Sequence, residues 1–272
     1  MFRSARMAAF LVGAWLLGFG AAAADTSISA AGSATLQPLV TEAADAYHAE
    51  HPDVTIAVKG GGSLDGIAQV AAGSVDMGDS DVVAKGRQEL VDHKVCVVGF
   101  ALIANPDARV ADLSKRQVQD IFSGKIVNWK QVGGADQRVV LINRPRYSGT
   151  RVVFVDTVMD GRPVAESGLQ EEASGGAAGA VAATPGAISY VVLSGARDQA
   201  GIVALSIDGV APGEAGISAG TYPFWSYEHI YTNGAPAKDV SRFIAFIQSN
   251  GELVHRHGYI LVRDMQVSEN DR

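Results

Sequence analysis

The chain has 272 residues, which is more than a minimal core requires and suits one large domain or two smaller ones. Hydrophobic residues make up 47% of it and charged residues 19%, and this composition excludes an intrinsically disordered chain. The formal net charge of −7 disfavours nucleic acid and anionic membranes as partners, so a site for an anion would need its own local donors.

The first 24 residues predict a secretory signal peptide. Arg3 and Arg6 precede an apolar run over residues 7–19, and alanines follow at 21–24. The alternative is a membrane anchor, but the run is barely long enough to span a bilayer and no basic flank follows it. The pattern therefore predicts export of the chain, with cleavage after Ala24.

Strand-like and helix-like patterns alternate after this segment. Residues 35–50 predict a helix, because apolar residues such as Leu36, Val40 and Tyr47 fall on one face. A second helix follows the turn at 60–62. Predicted strands occupy residues 27–31, 54–59, 75–80, 95–105, 139–143 and 188–193, and the other predicted helices occupy 114–122, 150–159 and 239–257. Repeated strand–turn–helix units indicate an α/β fold with helices covering the sheets.

Other residues carry weaker structural information. Residues 166–179, rich in Gly, Ala, Ser and Glu, predict a loop or the edge of a helix. Cys96 is the single cysteine, so no internal disulfide can form, and its apolar surroundings predict a buried core residue. Trp129 and Trp225 are expected to pack in the core or on the wall of a cleft.

Three turns share one design, in which small residues and hydroxyls stand directly before a helix. They lie at 32–35 (Gly-Ser-Ala-Thr), 60–63 (Gly-Gly-Gly-Ser) and 148–150 (Ser-Gly-Thr). A helix start leaves backbone N–H groups unpaired and carries partial positive charge, and Gly lets a ligand approach that backbone closely. One such turn is most often only a capped helix. Three of them, in a chain without a Gly-Lys-Ser/Thr nucleotide motif, indicate a site for an oxyanion.

Arg144 is a further candidate, because it stands at the end of a predicted strand four residues before Ser148. Its planar guanidinium can hold a tetrahedral oxyanion through two parallel hydrogen bonds. The alternative is a surface ion pair, which the sequence leaves open.

These residues belong to stretches through which the chain resembles a known family, the phosphate-binding proteins of phosphate-specific ABC transporters (the PstS-like family). The resemblance runs through nearly the whole chain after the signal segment. The most specific stretches are 121–129 (Ile-Phe-Ser-Gly-Lys-Ile-Val-Asn-Trp) and 148–151 (Ser-Gly-Thr-Arg). The others are 31–36 (Ala-Gly-Ser-Ala-Thr-Leu), 60–63 (Gly-Gly-Gly-Ser), 75–81 (Val-Asp-Met-Gly-Asp-Ser-Asp) and 184–190 (Thr-Pro-Gly-Ala-Ile-Ser-Tyr).

The resemblance implies a type II periplasmic-binding-protein fold, in which two α/β domains joined by crossing strands hold the ligand in the cleft between them. Domain 1 would contain residues 25–105 plus 225–272, and domain 2 residues 106–224. Closure over the ligand would be a hinge motion. The resemblance further implies that the ligand is inorganic phosphate and that no cofactor or metal is needed. The implied partner is an ABC transporter permease in the inner membrane, served by a periplasmic monomer.

The ligand-binding residues carry over from the family by position. They are Ala34, Thr35, Ser63, Asp81, Arg144, Ser148, Gly149 and Thr150. The Thr35 backbone N–H and hydroxyl and the Ser63 hydroxyl would donate to phosphate, and Arg144 would pair with it. Residues 148–150 would donate from the third helix start.

Two positions depart from the family pattern. Ala34 stands where a hydroxyl residue is frequent, which removes one side-chain donor and leaves Ser33 as a candidate replacement. Asp79 stands where a small residue is usual. It either adds negative charge near the site or simply points to solvent. Both departures bear on the affinity for the ligand rather than on its class.

The resemblance gives Asp81 the role of accepting the proton of the bound phosphate. A carboxylate beside an anion is unfavourable unless that anion still carries a proton. Phosphate near neutral pH has one to donate, whereas sulfate does not, and an unpaired buried polar group costs about 1–3 kcal/mol. Asp81 is thus expected to select phosphate over sulfate; the alternative is an aspartate that caps a helix or forms a salt bridge.

An enzyme is the main alternative from another functional class. His255 and His257 are two residues apart, rather than the three or four that place two ligands on one helix face. The sequence has no His-Glu-x-x-His motif, and neither Ser63 nor Ser148 lies in a Gly-x-Ser-x-Gly elbow. The patterns therefore favour a binding protein over an enzyme such as a phosphatase. A binding protein for sulfate or molybdate, or a secreted phosphate scavenger without a transporter, stays open.

Overall fold

The computed structural model describes residues 26–197 and 199–267, and the predicted signal peptide lies outside them. Strands β1 to β10 span Thr26–Gly32, Val54–Gly60, Met77–Ser80, Leu90–Ala104, Asp112–Leu113, Val140–Asn143, Leu169–Gln170, Ala187–Val192, Val203–Ile207 and Trp225–Asn233. Helices α1 to α9 span Gln37–Glu50, Ser63–Ala71, Lys115–Phe122, Gly149–Thr157, Ser174–Ala183, Leu193–Arg197, Glu214–Ser218, Lys238–Ser249 and Gly251–Arg256. Short 3-10 turns lie at Pro106–Ala108, Trp129–Val132 and Val262–Asp264. Within the described ranges, no helix combines the length and the apolar character that crossing a bilayer requires.

The strands are arranged in two groups that one long strand connects. The order is β2-β1-β3-β10-β4-β8-β6-β7, with β9 also paired to β4 and β5 paired to β9. We call β2, β1, β3 and β10 the first sheet, in which β10 runs antiparallel to β3 and the other pairs are parallel. We call β8, β6 and β7 the second sheet, which is parallel.

Strand β4 belongs to both sheets. Its residues from Leu90 to Gly99 pair with β10, and those from Phe100 to Ala104 pair with β8. Every residue from Val95 to Ala104 is buried, as expected for a strand covered on both faces. Strand β4 therefore connects the two sheets through the core, and the loops at the ends of the sheets meet beside it.

Most predicted elements are confirmed to within a few residues, but three expectations were wrong or incomplete. The helix predicted over 239–257 is two helices, because Asn250 leaves the helical region and its side chain caps α9 by accepting a hydrogen bond from Leu253 N–H at 3.1 Å. The segment 166–179 includes the start of α5, as its helix-edge alternative predicted, but it also holds the short strand β7, which was not predicted. The sequence also did not predict β5, β9, β10, α6 and α7.

The predicted core residues are buried. Cys96 and Trp129 are inaccessible and Trp225 is nearly so, which confirms the expectation for all three. The Trp129 indole N–H donates to the carbonyl of Gly186 at 2.8 Å, so its polar atom is paired inside the core.

Asp79, at the third position of β3, has a buried carboxyl group. The sequence left open whether this group points to solvent, and the structure shows that it does not. Its side chain is 1% exposed. Neither carboxyl oxygen has a hydrogen-bond partner in the described part of the chain. Burial alone raises the pKa of Asp79 to about 8, so this group is mostly protonated at neutral pH.

Replacing Asn250 by alanine should lower the free energy of unfolding by about 0.5–2 kcal/mol, because the α9 cap is lost. Urea unfolding followed by circular dichroism measures the change. Ser249→Ala, one residue earlier and exposed, is the control and should shift the midpoint much less. Equal effects of the two variants would contradict the capping role.

The buried Asp79 should make stability depend on pH. In the folded state Asp79 keeps its proton up to about pH 8, whereas in the unfolded chain it releases this proton above the ordinary pKa of an aspartate. The free energy of unfolding of wild type should therefore fall as pH rises from about 4 to about 8. The stability difference between Asp79→Asn and wild type should therefore grow by about 1.4 kcal/mol per pH unit over this window and then level off. Urea titrations of both proteins at several pH values test this, and a difference that does not vary with pH would contradict it.

Candidate oxyanion-binding site

A small cavity lies where the loops of the two sheets meet. Its volume is about 140 Å³, well below the roughly 300–1,000 Å³ of sites for drug-sized ligands, so it suits an ion of a few atoms. The lining residues are Ala34, Thr35, Gly61, Gly62, Asp81, Arg144, Tyr147, Ser148, Gly149, Thr150, Glu172 and Ala173. The cavity thus brings together every carried-over ligand-binding residue except Ser63.

Helix α4 begins at the cavity wall. Ser148 is its N-cap, and no side chain among the described residues caps it. The N–H groups of the first turn have no partner within a helix, and they carry the positive end of its dipole. Gly149 is required here by close approach, because a Cβ at this position would lie 2.1 Å from Ser63 Oγ and 2.8 Å from the Asp81 carboxyl carbon. The helix start therefore lies directly against Asp81.

Helix α2 also begins at the cavity without a side-chain cap from any described residue. Its N-cap Gly62 has φ of 100°, a conformation that disfavours other residues. A Cβ at Gly62 would lie 2.7 Å from the ring of Tyr147. Glycine at this turn therefore permits both the backbone conformation and the approach of Tyr147 from the other side of the cavity.

The start of α1 differs from the other two helix starts because the Ser33 side chain already accepts hydrogen bonds from its backbone N–H groups. The Ser33 hydroxyl oxygen accepts hydrogen bonds from the N–H groups of Thr35 and Leu36, both at 3.0 Å. The backbone N–H of Thr35, which was expected to face a ligand, is thus engaged by Ser33. Thr35 instead presents its hydroxyl, 3.2 Å from the Asp81 carboxylate and 3.3 Å from the hydroxyl of Thr150.

Asp81 occupies the centre of these contacts and is 1% exposed. One carboxylate oxygen accepts the Ser33 hydroxyl, and the other lies 3.2 Å from Thr35 Oγ1 and 3.3 Å from Thr150 Oγ1. Thr35 lies just before α1, next to the first sheet, and Thr150 lies in α4, on the other side of the cavity. Hydroxyls from both sides of the cavity therefore converge on one carboxylate. Among the described residues, Asp81 neither caps a helix nor forms a salt bridge, so the structure does not support these two alternatives.

Ser63 lies behind Asp81 rather than in the cavity wall. It is fully buried, and its hydroxyl oxygen accepts the Asp81 backbone N–H at 2.9 Å. The Asp81 carbonyl in turn accepts the Ser226 hydroxyl at 2.6 Å. Both backbone groups of Asp81 are thus held by serine side chains, one from α2 and one from β10.

Arg144 is buried, which excludes the surface ion pair that the sequence left open. Its guanidinium donates to the carbonyls of Glu171 and Glu172 at 2.9 and 2.7 Å and to the Ser174 hydroxyl at 3.2 Å. Burial lowers the pKa of Arg144, and the Asp81 charge opposes that effect, but a guanidinium keeps its proton at neutral pH. A guanidinium has about five N–H donors, so these three bonds leave two for a ligand, and Arg144 lines the cavity.

Tyr147 and Glu172 form the rim of the cavity, and the sequence did not predict either. The Tyr147 hydroxyl donates a short hydrogen bond to the Glu172 carboxylate, which raises the pKa of this tyrosine. The Tyr147 carbonyl accepts the backbone N–H of Leu64 in α2 at 3.4 Å. The loop before α4 is thereby connected to the opposite side of the cavity. An aromatic residue one position before the Ser-Gly-Thr turn was the available signal for Tyr147.

The two family departures have structural consequences. Ala34 lines the cavity with a methyl group. Ser33 does not replace the missing donor, because its hydroxyl donates to Asp81 and its side chain is not part of the cavity wall. Asp79 is buried in the first sheet, as described above.

Comparisons with known proteins agree with this geometry. The family model of the PBP superfamily domain matches residues 19–250. The phosphate-binding protein PstS of Bacillus subtilis (strain 168) is 43% identical over 255 residues, which cover 91% of this chain and 84% of that protein.

Two solved structures are similar over nearly the whole chain. A putative phosphate ABC transporter substrate-binding protein with bound phosphate from Clostridium perfringens has a TM-score of 0.80 and 28% identity, covering 87% of this chain and 100% of that one. An ABC-type phosphate transport receptor from Vibrio cholerae has a TM-score of 0.75 and 26% identity, covering 86% and 99%. The predicted α/β fold of type II periplasmic-binding proteins is thereby confirmed. With a family model over most of its length and this degree of identity, the chain belongs to the PstS-like family of the PBP superfamily.

Proposed function

We propose that this protein binds inorganic phosphate in the cavity between its two sheets and delivers it to an ABC transporter. The observation that carries the proposal is a buried carboxylate, Asp81, that faces a cavity otherwise lined by anion-binding groups. Two similar proteins support it: the Bacillus subtilis relative, which is named a phosphate-binding protein, and the putative phosphate ABC transporter substrate-binding protein that was solved with bound phosphate.

The positive side of the site comes from Arg144 and from the start of α4. Two guanidinium donors and the first-turn N–H groups at Gly149 and Thr150 would bind the equatorial oxygens of a tetrahedral anion. The hydroxyls of Thr35 and Thr150, which lie within hydrogen-bond distance of Asp81, would rotate to donate to the guest, while the Ser33 hydroxyl stays on Asp81. Ser63 has a positioning role, because it holds the backbone of Asp81.

Asp81 gives this site its selectivity. Its carboxylate accepts hydrogen bonds only, so a guest oxygen that faces it must carry a proton. Phosphate near neutral pH carries one, and sulfate would instead place an acceptor against an acceptor. An unmade buried hydrogen bond costs about 1–3 kcal/mol, which corresponds to about fivefold to about 150-fold in affinity.

The two-domain division is part of the same proposal. Residues 25–105 plus 225–272 would form one domain and residues 106–224 the other, with β4 and the segment before β10 as the crossings. The Tyr147 contacts with Gly62 and Leu64 join the two sides across the cavity. A hinge motion that separates them would open the cavity to solvent.

Delivery to a transporter implies export. The pattern of residues 1–24 supports a signal peptide and a periplasmic location, and the partner would be an inner-membrane permease that meets a monomer. We expect no catalysis, since the described residues that line the cavity include no histidine or cysteine to act as a base or nucleophile.

Calorimetric titration of the purified protein with phosphate and with sulfate tests the proposed function. We expect phosphate to bind at least about fivefold more tightly at neutral pH. Asp81→Asn should narrow this ratio, because an amide can donate to either anion. Asp45→Asn, an exposed aspartate on α1, is the matched control and should leave the ratio unchanged. Equal affinities of wild type for the two anions would refute the selectivity, and tighter sulfate binding would make the protein a sulfate binder.

Replacing Arg144 by lysine should weaken phosphate binding by about tenfold to a hundredfold. The charge stays, but the planar donors that are anchored to the carbonyls of Glu171 and Glu172 are lost. Arg146→Lys, at a side chain 79% exposed, is the control for the same change of chemistry. Wild-type affinity in the Arg144 variant, measured by the same titration, would contradict a direct role in binding.

A further inference from the structure

A second carboxyl group lies beside Asp81 in the first sheet. Strands β3 and β10 are antiparallel, with Asp79 opposite Ile230 and Ser80 opposite His229. Continuing this register by one residue sets Glu228 opposite Asp81, where Cβ atoms are about 4.5–5.5 Å apart. The hydrogen bond from Ser226, two residues before Glu228, to the Asp81 carbonyl shows that β10 continues alongside Asp81.

Glu228 is inaccessible to solvent, and neither of its carboxyl oxygens has a hydrogen-bond partner among residues 26–197 and 199–267. Its titratable neighbours are Asp79 in β3, Asp81 directly after β3, Cys96 opposite it on β4, and Tyr259 from the segment after α9. These groups are all acids, and none of them can neutralise a second negative charge. Burial, followed by the charge of Asp81, raises the pKa of Glu228 well above its usual range.

Two carboxyl groups this close in a dry interior share one proton, because both cannot be ionised together. Their surroundings decide which of them holds it. Asp81 accepts the Ser33 hydroxyl and lies within 3.3 Å of the hydroxyls of Thr35 and Thr150, all of which stabilise its ionised form. Glu228 has no such donors. The proton of the pair therefore belongs on Glu228.

We propose that Glu228 is a specificity-determining residue that acts through Asp81: it holds the proton of the pair, directs it at Asp81, and so keeps Asp81 an ionised acceptor toward the guest. Glu228 does not line the cavity, so it is a positioning residue rather than a ligand contact. The inference rests on the proposed function, since it concerns how the site distinguishes a protonated anion from an unprotonated one. It also gives a hydrogen-bond partner to one of the two buried Glu228 oxygens, the one that carries the proton.

The inference makes the selectivity of the site depend on Glu228. Without a donor at this position, the Asp81 carboxylate loses a hydrogen bond that stabilises its charge and orients its acceptor oxygens toward the guest. The preference of the site for a protonated guest then weakens. Leucine at position 228 removes the donor, whereas glutamine keeps a neutral donor of the same shape.

The first experiment measures the ratio of phosphate to sulfate affinity at neutral pH in four proteins. In Glu228→Leu the ratio should fall by about fivefold or more relative to wild type, because the charged Asp81 loses a hydrogen bond. Glu228→Gln should follow wild type, as should Glu252→Gln, the control at a side chain 87% exposed. A Glu228→Leu ratio identical to that of wild type would overturn the inference.

The second experiment detects the proton on Glu228 directly, so it tests the inference even if the Glu228→Leu variant does not fold. Infrared spectra at neutral pH, recorded in an Asp79→Asn background to remove the other buried acid, should show the carbonyl band of a neutral carboxylic acid. This band should disappear when Glu228→Gln is added and should shift on saturation with inorganic phosphate. Absence of the band would overturn the inference. A wild-type protein that binds no phosphate would instead refute the proposed function, while the band would still report on Glu228.

Discussion

The Asp81 carboxylate is the group around which the rest of the site is arranged. Ser63 and Ser226 hold its backbone, and hydroxyls that include those of Ser33 and Thr150 surround its oxygens. A buried charge is costly unless it is hydrogen-bonded, so these contacts constrain where α1, α2, α4 and β10 begin or pass. Chain segments more than a hundred residues apart are thereby brought to one point.

The charge balance of the site follows from this arrangement. Three carboxyl groups, Asp79 in β3, Asp81 directly after it and Glu228 in the neighbouring β10, lie close to a cavity for an anion. This arrangement would be strongly unfavourable if all three were ionised. Burial raises the pKa of Asp79 to about 8 and that of Glu228 well above its usual range, so both are neutral near pH 7. The remaining charge on Asp81 faces the buried guanidinium of Arg144 and the start of α4. The site can therefore attract an anion as a whole and still present one acceptor to it.

Local sequence was sufficient for the parts of the site that lie in continuous motifs. The Ser-Gly-Thr turn at 148–150 lies at the start of α4, as its small residues predicted, although the Ser148 side chain makes no capping hydrogen bond. These residues do line the cavity. Contacts across strands could not be predicted, because they depend on register. Strand β10 brings Ser226 and Glu228 to Asp81, and a strand that is buried on both faces lacks the alternation that identifies strands in a sequence. Ser63 was identified as important, but its position behind Asp81 emerges only in three dimensions.

A crystal structure of the protein grown with phosphate at neutral pH would examine this interpretation directly. We expect a tetrahedral anion in the cavity, with one oxygen about 2.5–2.7 Å from the Asp81 carboxylate and others bonded to Arg144 and to the N–H groups at the start of α4. Phosphate density that lies outside the cavity, or an anion whose oxygens all avoid Asp81, would contradict the account.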